Sequence, residues 1–227
     1  MKTIRFVLFS LRWAFALALL GILAARSGAA WAAVIYESAA LGPTGVSQGS
    51  VPGTNINPFV FTGVRFELLQ PAITSQVGGH FTSPANGTFF GALVRLDSAE
   101  DFPNSASLST ADVLGAAVLD FPLPSAEVYG ELSLSLSPGW YALVFGSGLF
   151  TSSGYGSAPR NNMDFGEPDY IAFQPGIGWF DLTDLSDVLD FVDHRFVVLG
   201  SIVPEPSTAA ILVLGMAILF AQAKSRR

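Results

Sequence analysis

Residues 33–203 predict an all-β fold, a β-sandwich of jelly-roll-like type. Three observations carry that expectation: apolar and polar residues alternate over short segments, Gly and Pro punctuate those segments at short intervals, and no long amphipathic helix interrupts them. A stretch of about 170 residues is enough for one well-buried core and too little for two substantial domains.

In chain order, residues 33–37 open the series. Phe59 and Phe61 then set one phase and Val64, Phe66 and Leu68 the opposite one, which predicts a bulge at Thr62 and Gly63. Strands follow at 72–82, 88–97 and 113–121. Over 127–136, Val128, Leu132, Leu134 and Leu136 share one face while Glu127, Tyr129, Glu131, Ser133 and Ser135 share the other, the pattern of a half-buried antiparallel strand. Residues 136–150 read as a hairpin entering a strand, 140–146, that is buried on both faces. Strands at 170–174 and 195–200 complete the set, with turn residues between them. No repeat recurs at a fixed period.

Two apolar runs flank this domain. Lys2, Arg5 and Arg12 precede the run 13–25, and small residues follow it, ending in Ala30, Trp31 and Ala32. That is the order of a secretory signal with an A-x-A cleavage site. A run of about 13 residues reaches only ~20 Å as a helix, short of the ~30 Å hydrocarbon core. Cleavage after Ala32 is therefore expected, with an uncleaved anchor as the alternative. No Arg-Arg pair precedes the run, which favours general Sec export over the twin-arginine route.

At the other end Val203, Pro204, Glu205 and Pro206 precede an apolar run, 209–221, and a basic cluster of Lys224, Arg226 and Arg227. Each proline fixes its own φ and biases its predecessor away from the helical region, so Glu205 is presented on an extended peptide. The basic cluster would stay on the cytoplasmic side and act as a membrane stop. A plain C-terminal anchor is the alternative, and the run is marginal in length for one.

Pro204-Glu205-Pro206, the apolar run and the Lys-Ser-Arg-Arg end together resemble the PEP-CTERM family of bacterial surface proteins. The resemblance implies that the tail is read by an exosortase, a membrane-embedded cysteine transpeptidase of bacteria that make exopolysaccharide. It implies a transient complex with that enzyme, membrane attachment through the tail helix before processing, and delivery to the cell surface or extracellular matrix of a Gram-negative-type bacterium. The same tail is known as the C-terminal domain of some ice-binding proteins. Its reach is confined to residues 203–227, so it supplies an address for the domain at 33–202 behind a signal peptide at 1–32.

Charge and composition narrow the function of that domain. Within 33–203, seventeen carboxylates face Arg65, Arg95, Arg160 and Arg195, a net charge of −13. A surface of that sign repels phosphate backbones, which argues against nucleic acid as a partner. The chain has no cysteine, which rules out disulfides, thiolate metal sites and cysteine nucleophiles together.

Four constellations invite a chemical reading. Gly45-Val46-Ser47-Gln48-Gly49 matches the G-x-S-x-G pattern, but its mechanism needs a strand-to-helix elbow and its surroundings are a polar loop. His80 and His194 are the only histidines, too few for a complete zinc site without carboxylate help, and are expected to be structural or surface residues. Asp181, Asp184, Asp187, Asp190 and Asp193 recur every third residue, with apolar residues between them. A short surface helix with a solvated acidic face is the expectation, with calcium binding as its alternative.

The segment 147–169 is long for a connection and carries Tyr155, Arg160, Asn161, Asn162, Asp164 and Asp169, a mixture of aromatic, amide and charged groups that would suit a sugar. Trp140 and Trp179 would add stacking surfaces, unless they belong to the core. The sequence thus predicts a non-catalytic exported protein without metal or cofactor, associated with biofilm or exopolysaccharide. A carbohydrate-binding or carbohydrate-active module with the same tail is the alternative. Ice binding ranks third, because a flat, repeating Thr-rich face is missing.

Overall fold

The computed structural model describes residues 32–41, 53–161, 163–164, 167–182 and 194–203, the pair 163–164 by its backbone alone. Ala30, Ser47, Asn162, Asp184, Asp187, Asp190, Asp193, Pro204, Glu205, Pro206, Lys224, Arg226 and Arg227 lie outside these residues, as do the predicted surface helix and both terminal apolar runs. Among the described residues all regular structure is β, and no helix is long and apolar enough to cross a membrane.

Numbered along the chain, the strands form two principal sheets. One holds β1 (Ala33–Glu37), β15 (Phe196–Ile202), β5 (Ala72–Phe81) and β8 (Ala126–Glu131) in that order, with β9 (Ser135–Leu136) also paired to β5. The other has six strands in the order β14 (Gly178–Asp181), β13 (Asp169–Gln174), β4 (Phe61–Leu68), β10 (Gly139–Gly146), β6 (Thr88–Leu96) and β7 (Val113–Asp120). Two small ribbons pair β11 (Gly156–Pro159) with β3 (Gly53–Ile56) and β12 (Met163–Asp164) with β2 (Ala39–Ala40). All these pairings are antiparallel.

The period-two pattern explains the core. Val64, Phe66 and Leu68 of β4, Tyr141, Leu143 and Phe145 of β10, and Phe89 and Leu93 of β6 join Val77 and Phe81 of β5 and Phe196 and Val198 of β15 in one buried cluster. The intervening residues of the six-stranded sheet form a second cluster on its other face, with Phe61, Phe90, Ala92, Val94, Ala142, Val144 and Ile171. Residues 97–112 and the β13–β14 hairpin supply its cover, through Phe102, Leu108, Phe173 and Trp179. Ring pairs such as Phe81–Phe89, with centroids 4.5 Å apart, and Phe89–Phe121, at 4.4 Å, fill the first cluster.

Burial on both faces corrects the expected bulge at Thr62 and Gly63. The register of β4 runs unbroken through both residues against β10 and β13. Phe61 and Val64 belong to opposite faces because both faces of β4 are covered, and an uninterrupted strand satisfies both phases. Phe59 lies outside the strand, 60% exposed, in a turn where the Asn57 side-chain oxygen accepts from the Phe59 and Val60 amides.

The expected hairpin at 136–150 is also corrected. β10 pairs with β4 and β6, whereas β9 pairs with β5, so the chain crosses from one sheet to the other at Ser137 and Pro138. Strand 127–136 keeps its predicted alternation but is split into β8 and β9. Thr74 occupies the break: its Oγ1 donates to the Leu132 carbonyl at 2.5 Å and accepts from the Leu134 amide at 2.9 Å.

Candidate functional site

A groove of about 300 Å³ opens beside β4 where β13 begins, lined by three aromatic rings, a buried arginine and three carboxylates. Asp169 is the first residue of β13 and pairs with Arg65 of β4, so the next β4 residues, Phe66 and Glu67, have no β13 partner. Glu167 and Pro168 bound the opening on that side. Across β4, Trp140 of β10 pairs with Glu67 and supplies an aromatic wall. Tyr36 of β1 reaches the groove from the five-stranded sheet and stacks on Phe66, with centroids 4.5 Å apart and planes 15° from parallel.

Arg65 organises the polar part. Its side chain is 3% exposed, and its Nη2 donates to Asp169 Oδ1 at 2.7 Å and to Asp181 Oδ2 of β14. Phe102 lies against the guanidinium, its ring centroid 5.0 Å from Cζ. Two carboxylates on one buried guanidinium more than neutralise its charge and pin three adjacent strands together. With Arg65 so engaged, Glu67 and Glu167 add negative charge around aromatic surface. Such a lining accepts hydrogen bonds from hydroxyl groups and stacks on the apolar face of a sugar ring, and it disfavours anions.

The predicted residues of 147–169 take different places. Tyr155 is 60% exposed. Asn161 is buried, and its Oδ1 accepts from His80 Nδ1 at 3.1 Å. Arg160 forms an isolated bridge with His194. The segment carries its own pairing through β11 and β12, while Gly148 and Ser152 close a tight turn with a 3.1 Å backbone bond.

Both histidines are buried and lie together at the end of the sheets where β5 finishes, since the His80 amide donates to the Arg195 carbonyl at 2.9 Å. His194 Nδ1 faces the Pro159 carbonyl at 3.3 Å and must donate to it, which leaves Nε2 to accept from Thr54 Oγ1 at 2.8 Å. Tyr170 donates its hydroxyl to the His194 carbonyl at 2.9 Å. Thr54 of β3 and Pro159 of β11 are thereby tied to the main body, which accounts for the two histidines as packing and hydrogen-bonding residues. Among the described residues no group of three or more His, Asp or Glu side chains is arranged to hold a metal ion.

Trp140 and Trp179 both pack against the outer cluster of the six-stranded sheet, and only Trp140 lines the groove. The groove joins Tyr36, Arg65, Glu67 and Glu167, which sequence reasoning missed, to Trp140 and Asp169, which it singled out separately as a stacking surface and as the end of the 147–169 segment. One signal was present: Arg65 is the lone cation of its strand and stands between the apolar residues Val64 and Phe66. The chain matches no family model, no curated protein and no solved structure.

Proposed function

We propose that the protein is an exported, non-catalytic cell-surface or matrix protein whose β-sandwich domain is delivered by a PEP-CTERM sorting tail. The observation that carries this reading is where the last described strand ends. The last strand ends at Ile202, the Val203 amide donates to the Pro71 carbonyl at 2.8 Å, and Pro204-Glu205-Pro206 follows at once. A recognition peptide of that kind needs to stand clear of the domain it serves, and prolines at this point keep it from joining the sheet.

The strand order supports a jelly roll as the domain's finer type. The sequences β1-β15-β5-β8 and β4-β10-β6-β7 interleave consecutive strands between two sheets and bring the last strand beside the first, which is the double Greek-key arrangement. The β13–β14 hairpin extends the second sheet beyond β4.

Tail processing is tested by the intact mass and location of the exported protein in hosts with and without exosortase. The expected result is loss of the apolar tail only where exosortase is present, and retention of the tail by Pro204→Ala/Pro206→Ala. A mature protein that keeps residues 207–227 in an exosortase-positive host reduces the tail to an anchor.

The groove beside β4 favours a second reading, a carbohydrate-binding module with the same address. Its aromatic wall and carboxylates suit neutral or cationic sugars better than uronates or sulfated glycans. A glycan array probed with the mature protein should then show binding that Glu167→Gln, at an exposed groove position, weakens severalfold while the melting temperature holds; an array without signal removes this reading.

A further inference from the structure

The chain enters and leaves the five-stranded sheet at the same end. Ala33 pairs with Gly200, Ile202 with Ala72, and Ile73 with both Ser201 and Ser135. Around this end stand apolar side chains that the core does not use: Leu69 is 80% exposed and Val34 50%, and Ile73, Ile202 and Val203 are also exposed. Leu123, also exposed, lies at the opposite end, where the Ser83 amide donates to the Pro122 carbonyl.

Charge is distributed just as unevenly. The segments that build this end, residues 32–36, 68–76, 132–139 and 199–203, contain no Asp, Glu, Lys or Arg, although the domain carries a net charge of −13. One cation reaches in from the other sheet: Arg95 donates to Ser137 Oγ at 2.9 Å and to the Pro138 carbonyl at 3.1 Å. The acidic turn Asp97, Glu100 and Asp101 follows β6 at the same end but on the six-stranded side, since Leu96 pairs with Trp140 and Gly139 with Leu68, and Glu67 and Glu131 border the uncharged segments. Beyond Val203, five residues separate the fold from the apolar run at Ala209. Even fully extended they hold the start of that run within about 20 Å of this end.

We propose that the uncharged apolar segments on the five-stranded side of this end form a membrane-contact collar, which rests on the lipid interface and leans the domain onto that side while the tail is in the bilayer. The inference depends on reading the tail as a membrane segment and adds a partner for the domain itself. Lipid is the occupant that the tether brings within reach. Interfacial burial of Leu69, Ile73 and Ile202 removes apolar area from water, and leaning onto the five-stranded side sets the carboxylate-free segments against the leaflet and turns the acidic turn after β6 away from it, which lessens the repulsion that anionic lipid exerts on the domain.

The test uses the full chain with an uncleaved tail in phosphatidylethanolamine–phosphatidylglycerol vesicles. Because the protein has no cysteine, Leu69→Cys, Ile73→Cys and Leu123→Cys each accept a single polarity-sensitive fluorophore. Labels at Leu69 and Ile73 should shift to the blue and be quenched by lipid-borne quenchers severalfold more than the label at Leu123. In unlabelled protein, Leu69→Asp/Ile73→Asp should leave flotation with vesicles intact and shorten the domain's protection from protease. Equal, water-like signals at all three positions in protein that floats with the vesicles overturn the collar and leave the tail reading standing. Protein that does not float overturns the tail reading and the collar with it.

Discussion

Arg65 is the residue on which the groove and the outer layer both depend. Its guanidinium lies among Asp169, Asp181 and Phe102 with almost no contact with water. Arg65→Met keeps much of the volume but leaves two carboxylates facing each other. Breaking a fully buried pair costs ~3–5 kcal/mol, and the partial exposure of both aspartates reduces the expected loss to roughly 2–4 kcal/mol, read as a lower midpoint in urea unfolding.

Tyr129 offers a pH-dependent readout at the same scale. Burial and then the neighbouring Glu127 carboxylate push its phenol up to about 12, against the pull of Arg195. A folded value above the unfolded one of 10.0 means that the stabilisation is complete below pH 10 and is lost as pH rises from 10 towards 12. Tyr129→Phe should remove that part of the alkaline slope, and absorbance titration of the wild type should show a tyrosine ionising near the upper limit.

Among the elements, strands with strong alternation were legible because one or both of their faces are buried. β1, β4, β5, β6, β7, β10, β13 and β15 fall at or near the positions that periodicity indicates. The ribbons β2–β12 and β3–β11 were not legible, since they are two to four residues long and owe their pairing to contacts such as Thr54 with His194 rather than to an apolar pattern. The partner of β9 was hidden for a similar reason: Ser137-Pro138-Gly139 reads as a hairpin turn, and only the register of Leu136 with Ala72 shows that it joins two sheets.

The groove was illegible as a unit because its rings and charges come from β1, β4, β10 and the lead into β13. The split between β8 and β9 is a case where one side chain completes an element. Thr74→Val keeps the shape but leaves the Leu132 carbonyl and Leu134 amide without their bridge. A loss of about 1–3 kcal/mol is expected, together with faster hydrogen exchange at Leu134.

At the scale of the whole molecule, seventeen carboxylates against four arginines make the domain repel itself. Arg65 and Arg195 are each spent on two carboxylates, Arg65 on Asp169 and Asp181 and Arg195 on Glu37 and Glu127. Raising sodium chloride from low ionic strength to ~0.15 M shortens the screening length to ~8 Å and should raise the melting temperature. A fall on adding salt would mean that these ion pairs outweigh the general repulsion.

The central place of β15 has a mechanical consequence. It is hydrogen-bonded to β1 on one side and to β5 on the other, and the chain leaves from its end towards the tail. A pull on the tail therefore acts along the axis of a strand gripped on both edges. The two ladders resist as a set under shear, instead of opening one bond at a time as a peeled edge strand would. If the domain is held by its tail, as proposed, drag on it would be met by the stiffest direction the sheet offers, at the strand that would otherwise be the first to be drawn out.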